Sequence, residues 1–304
     1  MAATLLDFAE VCEKIKATSS KNQKIKIVAN YLLKLSREDL PIACRFLTSR
    51  VFPPWDARSL NISYSTIIEA LKEITGVDDE KLKATYVKYG DLGSAAEELI
   101  NEKKITTLIQ NPLTLQYVYS TLDSAASKKG EGAAEYRQRV MKGLLALCSP
   151  LEAKYLVKVL CGEMRIGLDE GLLEEALASA YGRSLKRVRE AMLTVADIGE
   201  SALVALDGSF DSIRLRLFHP TNFMLAEEMT SPREVAEYFG CGLYAEYKYD
   251  GVRAQIHCDG KEVRIFSRRL EDVTNSFPEL VEPIAGEVIL DGEIVPYKGG
   301  PLPF

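Results

Sequence analysis

Glu246-Tyr-Lys-Tyr-Asp-Gly-Val-Arg253 is the stretch from which the rest of the chain can be read. Leu243 to Tyr249 is rich in tyrosine and suits a pleated, half-buried strand. A period of two then places Glu246, Lys248 and Asp250 on one face. Gly251 ends the strand and lets the backbone approach a ligand closely, and Arg253 brings a cationic fork back toward the same pocket. A lysine among carboxylates, beside a glycine and an arginine, can act as a covalent nucleophile when burial and a cationic neighbour favour its neutral form.

Working forward, Ala254 to Cys258 and Glu262 to Phe266 read as two strands joined at Asp259-Gly260, a two-residue hairpin signal. Ser267-Arg268-Arg269 follows at once. Ile289 to Val295 is a further strand whose alternation puts Asp291 and Glu293 on one face, with Gly292 letting the site close over them. Working backward, Ser231-Pro-Arg-Glu234 starts a short helix. Ile213-Arg-Leu-Arg-Leu-Phe218 alternates where the preceding sequence does not, which marks a domain boundary.

Residues 1 to about 205 read as helices. Leu5, Phe8, Val11, Cys12 and Ile15 recur at amphipathic spacing, and Ser149-Pro150-Leu-Glu152 is a capping box with proline at the first helical position. Val51-Phe-Pro-Pro-Trp55 ends a helix. Lys14, Lys16, Lys21, Lys24 and Lys26 read as a solvated helix end, with a phosphate-facing patch as the alternative. An internal repeat at a spacing of 106 residues relates Ala70-Leu71, Gly76 and Asp91-Leu92-Gly93 to Ala176-Leu177, Gly182 and Asp197-Ile198-Gly199. It implies a two-lobed, pseudo-twofold all-helical domain suited to the twofold symmetry of duplex DNA. Asp91 and Asp197 read as N-caps, and the amides beside them as phosphate sites that Gly90, Gly93 and Gly199 leave open. Gly162-Glu-Met-Arg-Ile-Gly-Leu168 lies between helices and sets the cation of Arg165 beside the unhindered backbone of Gly167, where it can also serve as a helix C-terminal cation.

The chain has 304 residues, which suggests about two domains. It holds no apolar run long enough for a membrane span and no signal-peptide pattern at its N-terminus. The six scattered cysteines, Cys241 among them, contain no C-x-x-C pair and read as reduced thiols of a cytoplasmic protein. Two histidines, His219 and His257, leave little room for histidine-based metal or triad chemistry. A net charge of −6 does not advertise nucleic-acid binding, but local patches and backbone amides can supply it.

Lys248-Tyr-Asp-Gly-Val-Arg253 fits K-x-D-G-x-R and resembles the nucleophile motif of covalent nucleotidyltransferases. These are the ATP-dependent DNA ligases, RNA ligases and mRNA capping enzymes. The longer run EYKYDGVRAQIH resembles the archaeal and eukaryotic replicative type of ATP-dependent DNA ligase, with Val252 where those ligases often carry Glu. Ser267-Arg268-Arg269 and Asp291-Gly292-Glu293 resemble that family's next two motifs, and Arg165-Ile-Gly-Leu168 its minor-groove loop. There are two departures: Glu163 stands where several relatives are basic, and Phe223 replaces the proline of a P-M-L-A segment.

The resemblance implies an all-helical DNA-binding domain at 1–210 and the first part of an α+β adenylation domain at 211–304, with the later motifs and the OB-fold missing. It implies ATP and Mg²⁺ as cofactors, Lys248 as nucleophile, and Asp250 as a residue that orients it or serves a later step. Glu246 would meet the adenine end, Arg253 and Arg268 the ribose, phosphate or nick, and Glu293 the ribose. No metal ligand is assigned within this chain. Nicked duplex DNA is the implied partner, with room for a sliding clamp, and a monomer is expected. The long helical half argues against an RNA ligase or capping enzyme. The rival reading is a duplex-binding module with an inactive catalytic remnant.

Overall fold

A computed structural model describes residues 2–56, 58, 60–102, 112–224, 226, 228–240, 242–282 and 285–300. Cys241, Leu225 of the segment after Thr221, and residues 301–304 lie outside the described residues. The chain forms two units, residues 1–192 with 197–213, and residues 193–196 with 214–304.

The first unit is helical. Its first half holds α1 (Leu5–Lys16), α2 (Lys21–Leu32), α3 (Asp39–Leu47), α4 (Tyr64–Thr75), α5 (Asp79–Tyr89) and α6 (Leu92–Ile100). Its second half holds α7 (Leu115–Ser127), α8 (Ala133–Leu147), α9 (Pro150–Leu160), α10 (Glu170–Tyr181), α11 (Leu185–Val195) and α12 (Ile198–Asp207). Local chemistry sets the ends. Thr4 and Ser149 close capping boxes with Asp7 and Glu152, and Gly76, Gly90, Gly182 and Gly208 take left-handed C-cap conformations. The 106-residue spacing is carried by the helix starts, from 64 to 170, 79 to 185 and 92 to 198.

The halves interleave. α10 packs on α2 and α4 on α8, while α6 packs on α9 and α12 on α3. Phe8 meets Phe46 and Tyr155 edge to face in one continuous apolar core. Each half also places an aspartate at a helix N-terminus against a buried cation of the other half. Asp91 caps α6 and accepts from Lys158 Nζ at 2.7 Å; Asp197 caps α12 and accepts from Arg45 Nη2 at 2.6 Å. Burial works against the Asp91 carboxylate, yet Lys158 and the Ser94 amide and hydroxyl hold its pKa down at about 2.

Two expectations about this unit are corrected. Gly93 and Gly199 are buried and do not hold open a phosphate site. A Cβ on Gly93 would lie 2.7 Å from the Lys154 carbonyl oxygen, and one on Gly199 2.9 Å from that of Pro41. Their missing side chains let α6 and α12 seat on α9 and α3. Lys24 is buried, not part of a solvated helix end, while Lys14, Lys16, Lys21 and Lys26 are exposed.

The second unit carries a short helix, α13 (Pro232–Phe239), with Ser231 as its N-cap. Its sheet is antiparallel in the order β2-β1-β3, with β1 (Val252–Cys258) between β2 (Val263–Ser267) and β3 (Val288–Ile294). Ala254, Cys258, Val263 and Ile265 face a small core closed by Val273, Phe277 and Leu280. The opposite face carries Arg253, Gln255 and His257 of β1, with Asp291 and Glu293 of β3 beside them in register.

Here too the expected strands shift. Leu243 to Tyr249 is irregular and pairs with no strand among the described residues; Tyr244 and Tyr247 are 102% and 86% exposed. β2 and β3 occupy both sides of β1, and the tyrosine-rich run pairs with neither of their outer edges among the described residues and stays exposed. The hairpin loop spans four residues, not two. Cys258 pairs with Val263, and the Asp259 carboxylate accepts from the Lys261 and Glu262 amides.

Breaking one cross-half ion pair leaves a buried charge without its partner, which costs about 3–5 kcal/mol. Arg45→Ala should therefore lower the unfolding free energy of the helical unit by roughly that amount. Urea titration followed by circular dichroism measures it, and a loss below about 1 kcal/mol would show that the pair is not a lock.

Candidate functional site

In the helical unit the predicted loop residues come together. Arg165 Nη1 donates to the carbonyl oxygen of Gly90, the C-cap of α5, at 3.0 Å, and Nη2 to Glu163 Oε2 at 2.5 Å. Arg165 is thus also a cation at a helix C-terminus. Its side chain remains 55% exposed, and its backbone is left-handed at φ +48°. Sequence reading missed what fixes this loop. Lys24 of α2 reaches across 142 residues to donate to the Ile166 and Gly167 carbonyl oxygens at 2.9 and 2.6 Å. A side chain on Gly167 would collide with that ammonium. The loop therefore presents Arg165 and Gly90 on one rigid surface, with Glu163 partly neutralising the cation.

In the sheet unit, Lys248, Glu246 and Asp250 are exposed on the irregular stretch that enters β1. Gly251 fixes where that stretch meets the sheet. A Cβ there would lie 2.8 Å from Val295 Cγ1, so the missing side chain lets this stretch approach the end of β3. Arg253 lies opposite Glu293 in the ladder, and its fork donates to both oxygens of Asp291 at 3.0 and 2.9 Å. Arg268 lies just past β2 with its guanidinium carbon 4.7 Å from the Phe223 ring centre; that of Arg253 is 5.6 Å from the same ring. A Cβ on Gly292 would meet nothing within 4 Å among the described residues, so no close contact requires a glycine there.

The polar face of β1 is covered by residues 218–223. Gln255 exchanges hydrogen bonds with the Thr221 backbone, accepting from its amide at 2.9 Å and donating to its carbonyl at 2.7 Å. His257 Nδ1 accepts from the Phe218 amide at 3.0 Å. Burial, and then the neighbouring His219, push the His257 pKa down to about 4, so the ring stays neutral and can accept. Among the described residues, no group of three or more His, Cys, Asp or Glu side chains is placed to hold a metal ion. No described helix is long and apolar enough to cross a membrane.

Comparison with known proteins places these geometries. Residues 4–178 match the family described as DNA ligase N terminus, and residues 223–304 the family described as ATP dependent DNA ligase domain. The chain is 38% identical over 98% of its length to a DNA ligase of Archaeoglobus fulgidus, covering 55% of that protein. It is 41% identical over 96% of its length to a probable DNA ligase of Koribacter versatilis, covering 50% of it. With a DNA ligase of Methanopyrus kandleri the identity is 38% over 97% of the chain and 55% of the relative. The chain belongs to the ATP-dependent DNA ligase family and spans about half the length of these relatives.

The neutral His257 gives a pH test. Its folded pKa of about 4 lies below the ordinary value of about 6.5. Its contribution is therefore full above pH 6.5 and is lost as pH falls through 4. Acid unfolding of the native chain should begin in that window, and His257→Asn should flatten the pH dependence there.

Proposed function

We propose that the protein of which this chain is part seals nicks in duplex DNA, with Lys248 as the nucleophile. Lys248 Nζ attacks the α-phosphorus of ATP; a P–N bond forms and pyrophosphate leaves. The adenylyl group passes to the 5′-phosphate at a nick, and the 3′-hydroxyl then displaces AMP to close the backbone. Chemistry at phosphorus is mostly positioning and neutralisation of charge. One observation carries the reading: Arg253 and Glu293 face each other across β1 and β3, at the strand end against which Gly251 seats the Lys248 stretch. Glu293 suits the ribose hydroxyls, Arg268 an anionic phosphate, and Glu246 the base. Asp250 orients the lysine or serves a later step. ATP is the nucleotide that the family description supports, and Mg²⁺ is the counter-ion this reading adds to it. Mg²⁺ would neutralise the departing pyrophosphate, and no step here is routed through a protein-held ion.

The helical unit would bind the duplex. Support comes from the exposed Arg165 and Gly90 surface and from the recurrence of α4–α6 in α10–α12, which suits two lobes related by a pseudo-twofold axis. DNA replication, repair and recombination are the processes in which such sealing serves, and an aqueous, cytoplasmic setting fits the reading. A second reading, a duplex-binding module whose catalytic half is inactive, draws on the exposure of Lys248.

Incubation with α-labelled ATP separates them. The whole protein should acquire a stable label that Lys248→Ala removes while duplex affinity is unchanged; label persisting in Lys248→Ala would discard Lys248. Duplex binding should show little sequence preference and fall steeply with salt. Glu163→Gln should raise duplex affinity by roughly three- to tenfold at low salt, because Arg165 loses a competing anion. Electrophoretic mobility shifts measure this, and unchanged affinity would remove Arg165 from the interface.

A further inference from the structure

We infer that Phe223 is a positioning residue for Arg268, and through it for the phosphoryl chemistry proposed above, on which this inference rests. The two arginines of the site are held in different ways. The Arg253 fork is closed on Asp291 by two hydrogen bonds. Arg268 makes no hydrogen bond or ion pair among the described residues, and the Phe223 ring, 4.7 Å from its guanidinium carbon, is what holds it. All five N–H donors of Arg268 therefore remain available to an anion while the plane of the group is fixed from one side.

The ring itself is anchored. Thr221, two residues earlier, is tied to the buried Gln255 by the reciprocal pair of hydrogen bonds. Phe223, Arg253, Gln255, Arg268 and Asp291 line one small depression on the polar side of the sheet. The negative ring face also offsets repulsion between the two guanidinium groups that approach it. A proline at this position would give neither the ring nor the offset. Phe223 thus presents Arg268 as an open fork beside a closed one, an arrangement suited to gripping a phosphate already fixed by other contacts.

A double-substitution cycle tests this in the whole protein. Phe223→Leu keeps an apolar side chain but removes the π face, Phe223→Trp restores one, and Arg268→Ala removes the fork. Single-turnover sealing of a pre-adenylylated nick is the readout, alongside label from ATP and thermal unfolding. Phe223→Leu should slow sealing by roughly tenfold with an unchanged melting temperature, and Phe223→Trp should retain most of the rate. Combined with Arg268→Ala, Phe223→Leu should add less than about twofold, because two residues acting as one unit are not additive. Full additivity, or wild-type sealing by Phe223→Leu, overturns the inference and leaves the ligase reading standing. Absence of lysyl label in the unsubstituted protein overturns both.

Discussion

A carboxylate can be largely withdrawn from water at a helix N-terminus only if something replaces that water, and the helical unit depends on two places where this happens. Asp91 and Asp197 satisfy the first amides of α6 and α12 and also bind Lys158 and Arg45 on helices of the opposite half. At Asp91 the cap and the ion pair with Lys158 both favour the charged carboxylate. Each cluster needs a glycine two residues on, because the cation-bearing helix can come close enough only where no Cβ intervenes. The two clusters therefore fix which helices may be neighbours, and the apolar core fills in around them.

The sheet obeys a different constraint. One face of β1 is covered by aliphatic and aromatic side chains, the other by a polar segment that must satisfy every buried group it meets. Gln255 gives both its amide oxygen and its amide nitrogen a partner in the Thr221 backbone. His257 finds one at Nδ1, while its Nε2 is buried with no hydrogen-bond partner among the described residues. That polar cover is what brings Phe223 alongside Arg253 and Arg268, so the position of the arginine pair follows from hydrogen bonds made two and five residues away.

Much of this was legible in the sequence because it is local. Capping boxes, left-handed glycines and the alternation of β3 are written within four or five residues, and the helix ends at Ser149, Gly76 and Gly182 fall where those signals lie. The lysine motif was legible as a motif, but its stretch is not the strand its composition suggests, since β-propensity says nothing of whether a segment finds a partner strand. Gly93 and Gly199 were read as open to phosphate because a glycine records only that space is needed, not what fills it. Lys24 and Phe223 act on residues 142 and 45 positions away, and no periodicity announces such partners.

The left-handed residues outside glycine show where a side chain outweighs backbone ease. Gly90 precedes Asp91 with φ +68°, and Ala196 precedes Asp197 with φ +53°. Gly90 takes it as the C-cap of α5, while the methyl of Ala196 is fully buried, so apolar burial offsets part of a strain of about 1 kcal/mol. Arg165 has no such offset. It is exposed and adopts φ +48° two residues before Gly167, which takes φ +64° without cost. Lys24 holds the carbonyl oxygens of Ile166 and Gly167, so the loop cannot relax by turning Arg165 back to an ordinary backbone angle. Met164 and Ile166 on either side are buried in the core, so the strain at this exposed arginine is held by the packing of its two neighbours together with the buried lysine.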